Sequence, residues 1–286
     1  MIKEYYALAK PGLVLGNLLT VVAGFALGAQ GHIDLMLLTV TALGISLVMA
    51  SGCVFNNFID RDIDRAMERT KRREIVTGKT SLHAALAYGT LLGLLGFSIL
   101  GIYTNPFATG AALFGFIFYV IIYSMWGKRR TVYGTAIGSL AGAVPPVVGY
   151  CAASGRFDLG AILLFVILAL WQMPHFFAIG IYRLDDYKAA AIPILPVKRG
   201  IRTTKIAMLI YIILFGYAAL SLSAFGYTGT AYFIVAVILC LMWLGLWTKG
   251  FRLDEVASKR WARKMFFFSL IVLTGLSIMI AVDPRR

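Results

Sequence analysis

The chain has 286 residues, of which 60% are apolar and 14% charged, and its mean hydropathy is +0.82. Such values exclude an ordinary soluble domain and leave room for many apolar spans of about 20 residues each. The formal net charge of +14 does not indicate nucleic acid, because the basic residues gather in a few loops between apolar runs, as on a membrane face lined with anionic lipid.

Nine spans are predicted in chain order, over about 13–31, 35–56, 82–102, 106–125, 134–153, 159–181, 206–225, 230–248 and 265–282. They form a single polytopic domain, 1–286. The first apolar run is longer than the core of a secretory signal and lacks a small-residue cleavage site, so it is read as a span. Three connections are short and free of Lys and Arg: His32-Ile33-Asp34, Tyr103-Thr104-Asn105 and Gly226-Tyr227-Thr228. The remaining connections carry Lys or Arg, most of them in long loops. Of the 27 Lys and Arg, all but Arg156, Arg285 and Arg286 fall on one face. That face is expected to be cytoplasmic, with the N-terminus inside and the C-terminus outside an inner (plasma) membrane. Cys53, Cys151 and Cys240 lie inside apolar runs without metal-ligand spacing and read as packing residues.

Two acidic clusters stand at the ends of spans. The first runs Asn56-Asn57-Phe58-Ile59-Asp60-Arg61-Asp62-Ile63-Asp64, and the second is Asp185-Asp186-Tyr187. Acids at membrane depth are costly and read first as functional. Each cluster precedes a basic loop that ends in Thr and Lys or Lys and Thr, a faint internal repeat that predicts two halves facing each other across a site. If the second span continues as helix, Asn56, Asp60 and Asp64 share a face, with Arg61, Arg65 and Arg69 about 100° around the axis. Neighbouring carboxylates repel unless something neutralises them. Mg²⁺ does so with oxygen ligands and bridges readily to phosphate. The alternative is a solvated helix with alternating charges.

Basic residues complete this logic. Arg69, Arg73, Lys128 and Arg129 are candidates to bind a diphosphate, although a cytoplasmic loop carries Lys and Arg regardless of function. His175 lies in an aromatic span just after Pro174, where it could contact a cofactor-like ligand, relay a proton or simply pack. His32 and His83 have ordinary turn and span-start positions. Pro145-Pro146 predicts a break in the fifth span, tolerated where backbone lines a cavity.

The pattern Asn56-x-x-x-Asp60-x-x-x-Asp64, followed by Met67-x-Arg69-Thr70-x-x-Arg73, resembles the acidic motif of the UbiA-type intramembrane prenyltransferases. Further stretches are similar to the haem-modifying branch of that family. They are Lys10-Pro11-Gly12, Ala50 to Asn57, Gly142 to Tyr150, Trp171-Gln172-Met173-Pro174-His175-Phe176, and Asp186-Tyr187 leading to Ile192-Pro193-Ile194-Leu195-Pro196. Nearly the whole chain is covered. Asn57 stands where many relatives carry Asp, and Ala190 where a second-motif acid often stands, which leaves fewer carboxylates for metal.

The resemblance implies an all-α bundle of nine membrane helices with a central cavity open toward the cytoplasmic face. It implies farnesyl transfer from farnesyl diphosphate to a vinyl group of haem B, with water added to give haem O. Mg²⁺ is the implied cofactor, held by Asp60, Asp64 and Asp186, with His175 in the catalytic set. Asn56, Asn57, Arg69, Arg73, Lys128 and Arg129 are the implied diphosphate site. Haem is a substrate in this scheme, the bilayer is the setting, and haem-pathway or terminal-oxidase assembly proteins are candidate partners. Two other readings stay open. One is prenylation of an aromatic quinone precursor, which an assay offering both acceptors would separate. The other is a cation-coupled transporter, which would show uptake without a new lipid-modified product.

Overall fold

The computed structural model describes residues 2–285. A short helix, α1 (Ile2–Leu8), leads to α2 (Pro11–Ala29), whose first turn starts at Pro11, a residue whose fixed φ suits that position. Lys10, just before it, is held in the left-handed region at φ 50°. Asp34 caps α3 (Leu35–Ile59) by accepting the Leu37 N–H, and Ser81 caps α5 (Leu82–Tyr103) through the Ala84 N–H. Between them lies the six-residue α4 (Arg61–Ala66).

Asn105 caps α6 (Pro106–Ile117), which runs on as a π-helix over Phe118–Gly127 and a final turn, α7 (Lys128–Arg130). The fifth span is broken at Ala143 into α8 (Gly134–Gly142) and α9 (Val144–Ser154), where the Pro145-Pro146 pair predicted a break. α10 (Leu159–Tyr182) stays one helix despite Pro174, and α11 (Leu184–Ala189) follows. α12 (Leu195–Ala224) kinks at Gly200, where φ is 81°. It begins about ten residues before the predicted span. α13 (Thr230–Thr248) and α14 (Glu255–Val282) complete the bundle, α14 also starting about ten residues early, on two charged turns. Hydropathy locates the apolar length of a helix and is blind to polar turns that continue it outside the lipid.

Among the described residues nine segments are long and apolar enough to cross a membrane, and the chain is a multi-pass integral membrane protein. Large apolar side chains such as Leu94, Ile102 and Leu241 are exposed on the bundle's outside, the side lipid would solvate. Inside, α2 lies backbone to backbone on α9. A side chain at Gly24 would strike the Pro146 carbonyl, and one at Gly149 would strike the Val21 carbonyl, so both positions require glycine. The start of α2 meets the end of α3, where Lys10 Nζ donates to Asn56 Oδ1 and the polar residues collect.

The faint repeat has a structural counterpart. Two long helices, α3 and α10, each end at a single non-helical residue, Asp60 or Arg183, and each is followed by a helix of six residues. The two short helices meet through apolar side chains: Tyr187, Ala190 and Ile194 pack on a buried cluster of Ile63, Met67 and Ile192. The two acidic segments therefore lie side by side.

Candidate active site

A cavity of about 500 Å³ opens within the bundle, large enough for a drug-sized ligand or larger. One end is ionic, lined by Lys10, Asp64, Arg69, Arg73 and Lys128. The far wall includes Ile45, fifteen residues before Asp60, which at 1.5 Å per residue puts it about 22 Å deep. Along the way it passes Tyr119, Tyr123, Pro145, Trp171, Gln172 and His175.

At the ionic end, α3 stops at Asp60, so the helix expected to run from Asn56 through Arg69 is interrupted there and ends at Ala66. The turn keeps helical hydrogen bonds across the break, Asp60 N–H to Asn56 O at 2.9 Å and Asp64 N–H to Asp60 O at 2.8 Å. The carboxylates keep their four-residue spacing while the axis bends. Arg69 leaves the helix and lines the cavity, where it makes no hydrogen bond or ion pair among the described residues. Sequence spacing had placed it on a helical stripe instead.

Asp60 is fully buried. Its Oδ2 accepts from Lys128 Nζ at 2.5 Å and from Asn56 Nδ2 at 2.7 Å, while Oδ1 has no hydrogen bond and meets Arg129 Nη2 only at 3.7 Å. Asp64, also buried, accepts from Arg73 Nη1 at 2.6 Å. Arg73 also reaches Asn57 Oδ1 at 3.1 Å, and Asn57 Nδ2 donates to the Leu8 carbonyl. Thr70 donates to the Asp64 carbonyl, tying the start of the basic loop to α4. Asn57, Asp60 and Arg129 stand behind the cavity wall. Asn56, Asp64, Arg69, Arg73 and Lys128 are on it.

Three residues join this group that sequence reasoning did not place there. Lys10 Nζ donates to Asn56 Oδ1 at 2.7 Å, from the other side of a 46-residue separation. Burial pulls its ammonium down to about 8, with Arg73 and Lys128 adding to the effect and Cys53 and Asp64 opposing it. A lysine directly before Pro11 at the head of a span was the available signal. Ser124 accepts from Asn56 Nδ2 at 3.0 Å and donates to the Tyr119 carbonyl, five residues back. Ser124 lies within the π-helical stretch Phe118–Gly127, and π-turns often mark functional sites. Tyr187 lines the cavity from α11, its phenol pushed up mainly by burial.

The second cluster contributes less than expected. Asp186 is half-buried and absent from the cavity wall, which its neighbour Tyr187 occupies. Counting from the non-helical residue that ends each long helix, Tyr187 holds the place that Asp64 holds after Asp60. Asp185 is exposed and pairs with Lys259 of α14 at 2.8 Å. Among the described residues no three Asp, Glu, His or Cys side chains are grouped closely enough to hold a metal ion. Asp60, Asp64 and the two asparagines nevertheless offer an all-oxygen donor set, and Asp60 Oδ1 is a buried carboxylate oxygen without a donor. That chemistry fits Mg²⁺.

His175 sits deeper, seven residues or about 10 Å before the end of α10. Its Nδ1 is 2.7 Å from Ser269 Oγ, and its ring stacks on Trp171 at 4.7 Å.

A polar, cation-rich pocket mouth leading into an aromatic cavity inside a helical membrane bundle narrows the comparison, and the UbiA prenyltransferase family model matches residues 17–271. The chain belongs to the UbiA prenyltransferase family. It is 53% identical to the protoheme IX farnesyltransferase of Sodalis glossinidius (strain morsitans), over 99% of this chain and 95% of that one. It is also 53% identical to protoheme IX farnesyltransferase 2 of Pseudomonas aeruginosa (strain UCBPP-PA14), with the same coverage. Among solved structures, a digeranylgeranylglyceryl phosphate synthase shares the fold at a TM-score of 0.81 and 17% identity, over 98% of both chains. A UbiA homolog from Archaeoglobus fulgidus bound to DMAPP and Mg²⁺ aligns at 0.73 and 15%, over 94% of this chain and 99% of that one. This UbiA-family chain is an enzyme of prenyl transfer, and the nine-span bundle read from its sequence is the family's fold.

Proposed function

We propose that the chain transfers a farnesyl group from farnesyl diphosphate to a vinyl group of haem B and that water completes the product, haem O. Full-length similarity, at 53% identity, to relatives named protoheme IX farnesyltransferase carries this reading. The division of the cavity into a cationic mouth and an aromatic, histidine-bearing interior supports it.

The diphosphate binds at the mouth. Arg69 is uncommitted, and Lys10, Arg73 and Lys128 can exchange an amide or carboxylate partner for phosphate oxygen. A charge-assisted hydrogen bond contributes about 1.5–3 kcal/mol, so four such cations hold the donor firmly and favour the charge that develops on the leaving diphosphate. Asp60 and Asp64 would hold Mg²⁺, with Asp186 as the third candidate and Asn56 and Asn57 as flanking oxygen donors. Bound there, the ion would neutralise carboxylate and phosphate charge.

The farnesyl C1–O bond breaks, diphosphate takes the electron pair, and the allylic cation faces the aromatic interior. The terminal vinyl carbon attacks C1 with its π electrons, which leaves a cation on the carbon attached to the porphyrin. Water adds to that carbon and loses a proton, giving the hydroxyethylfarnesyl group. The dry walls formed by Tyr119, Val144 and Trp171 keep bulk water from the first cation. The mouth faces the cytoplasm in this reading, because the connections that flank it carry the Lys and Arg.

The test is to incubate membranes containing the protein with farnesyl diphosphate, Mg²⁺ and both acceptors, haem B and an aromatic quinone precursor, and to identify the products by mass spectrometry. A farnesylated, hydrated haem is expected. Unchanged haem beside a prenylated aromatic quinone precursor would overturn the proposal.

A further inference from the structure

Ser269 of α14 anchors two side chains of α10 at once. Its carbonyl accepts the Trp171 indole N–H at 2.8 Å, and its hydroxyl meets His175 Nδ1 at 2.7 Å. The same hydroxyl lies 2.6 Å from the Phe266 carbonyl. A carbonyl oxygen has no hydrogen to give, so the single hydroxyl proton of Ser269 is committed to Phe266. The proton between Ser269 and His175 must then belong to Nδ1. The ring's other close neighbours, Trp171, Phe176 and Phe266, carry no charge, so nothing there compensates a second proton on the ring.

Nε2 is consequently the nitrogen with the lone pair. It makes no hydrogen bond among the described residues, and it is not one of the sealed, partnerless polar atoms of the interior, so it keeps accessible surface. His175 is on the cavity wall, and that surface is where a ligand can meet it. A bare metal ion needs several protein ligands, and among the described residues no group of three His, Cys, Asp or Glu side chains forms around His175. A metal that brings its own in-plane nitrogens needs only one.

We propose that Ser269 is a positioning residue that holds His175 in the Nδ1–H tautomer, so that Nε2 serves as an axial ligand to the iron of the haem substrate. This rests on the reading of the acceptor as haem. The iron–nitrogen bond would fix the height and tilt of the macrocycle about 10 Å inside the mouth, between the cation-rich end and Trp171. Hydrogen bonding to the non-ligating nitrogen is how proteins usually orient such a histidine, and losing it typically costs 10–100-fold in affinity for the metal.

The experiment titrates the purified full-length protein in nanodiscs with ferric haem and follows the Soret band, with haem prenylation assayed on the same preparations. The wild type should give an imidazole-ligated spectrum, and His175→Ala should lose it. Ser269→Ala should bind haem roughly 10–100-fold more weakly, and Ser269→Thr, which keeps the hydroxyl, should restore binding. Histidine ¹⁵N NMR of the wild type reads the tautomer directly, whatever the stability of the variants, and should report Nδ1–H. An Nε2–H signal, or a Soret band unchanged by His175→Ala, would overturn the inference. So would Ser269→Ala matching the wild type where His175→Ala does not. If the spectrum is unchanged by His175→Ala while haem is still prenylated, the function stands and only the ligand fails. If haem is not prenylated by the wild type, the function itself fails.

Discussion

Lys128 Nζ lies 2.5 Å from Asp60 Oδ2, joining α7 to the end of α3 across 68 residues. Asp60 is fully buried and Lys128 is half-buried, and removing the lysine leaves an uncompensated buried carboxylate, at a cost of about 3–5 kcal/mol. Lys128→Ala should therefore lower the thermal midpoint as well as donor affinity. The double variant Lys128→Ala with Asp60→Ala should recover much of the midpoint and none of the turnover. Thermal unfolding in detergent checks this, and equal destabilisation in single and double variants would refute the pairing.

Metal dependence separates the two acidic segments. Asp64 is on the cavity wall and Asp186 is not, so Asp64→Ala should abolish turnover at every Mg²⁺ concentration. Asp186→Ala should raise the Mg²⁺ needed for half-maximal rate while leaving the rate at saturation largely intact. A chelator should inhibit the wild type and added Mg²⁺ should restore it. Normal activity of Asp186→Ala at limiting Mg²⁺ would remove that residue from the site.

Lys10 gives a pH signature with two opposite signs. Its ammonium is pulled to about 8 by burial, below the ordinary lysine value. Below about 8 the charged form is available to a diphosphate, so donor affinity should fall as pH rises through 8. Stability runs the other way, because between about 8 and 10.5 the unfolded chain binds a proton that the folded chain does not, and folding is favoured as pH rises. Lys10→Arg keeps its charge and should flatten the affinity profile. Measuring the KM for farnesyl diphosphate against pH in both proteins decides the matter.

The proposed orientation rests on the one-sided distribution of basic residues. A cysteine introduced at Lys71 or Lys198 should react with an impermeant reagent only from the cytoplasmic side. Labelling of both from outside would reverse the topology and with it the side from which diphosphate enters.

The membrane bundle was legible in the sequence because lipid offers the backbone no hydrogen bonds. Each span must satisfy its own, which forces long apolar helices, and among the described residues nine appear where nine were predicted. The Asn56, Asp60, Asp64 spacing was legible for a similar reason, since local hydrogen bonds hold that register even where α3 breaks at Asp60. What surrounds those acids was not local. Lys10 reaches Asn56 from 46 residues away, Ser124 arrives through a π-helical turn with no composition of its own, and Asp186 yields the cavity wall to Tyr187. Ser269 meets His175 across 94 residues. Residue types and their spacing along one helix decided which groups could do chemistry, because helical geometry is a property of the local chain. Which of them share a cavity, which cation neutralises which carboxylate and which nitrogen of His175 is free were decided by how the helices pack, and that depends on the whole chain at once.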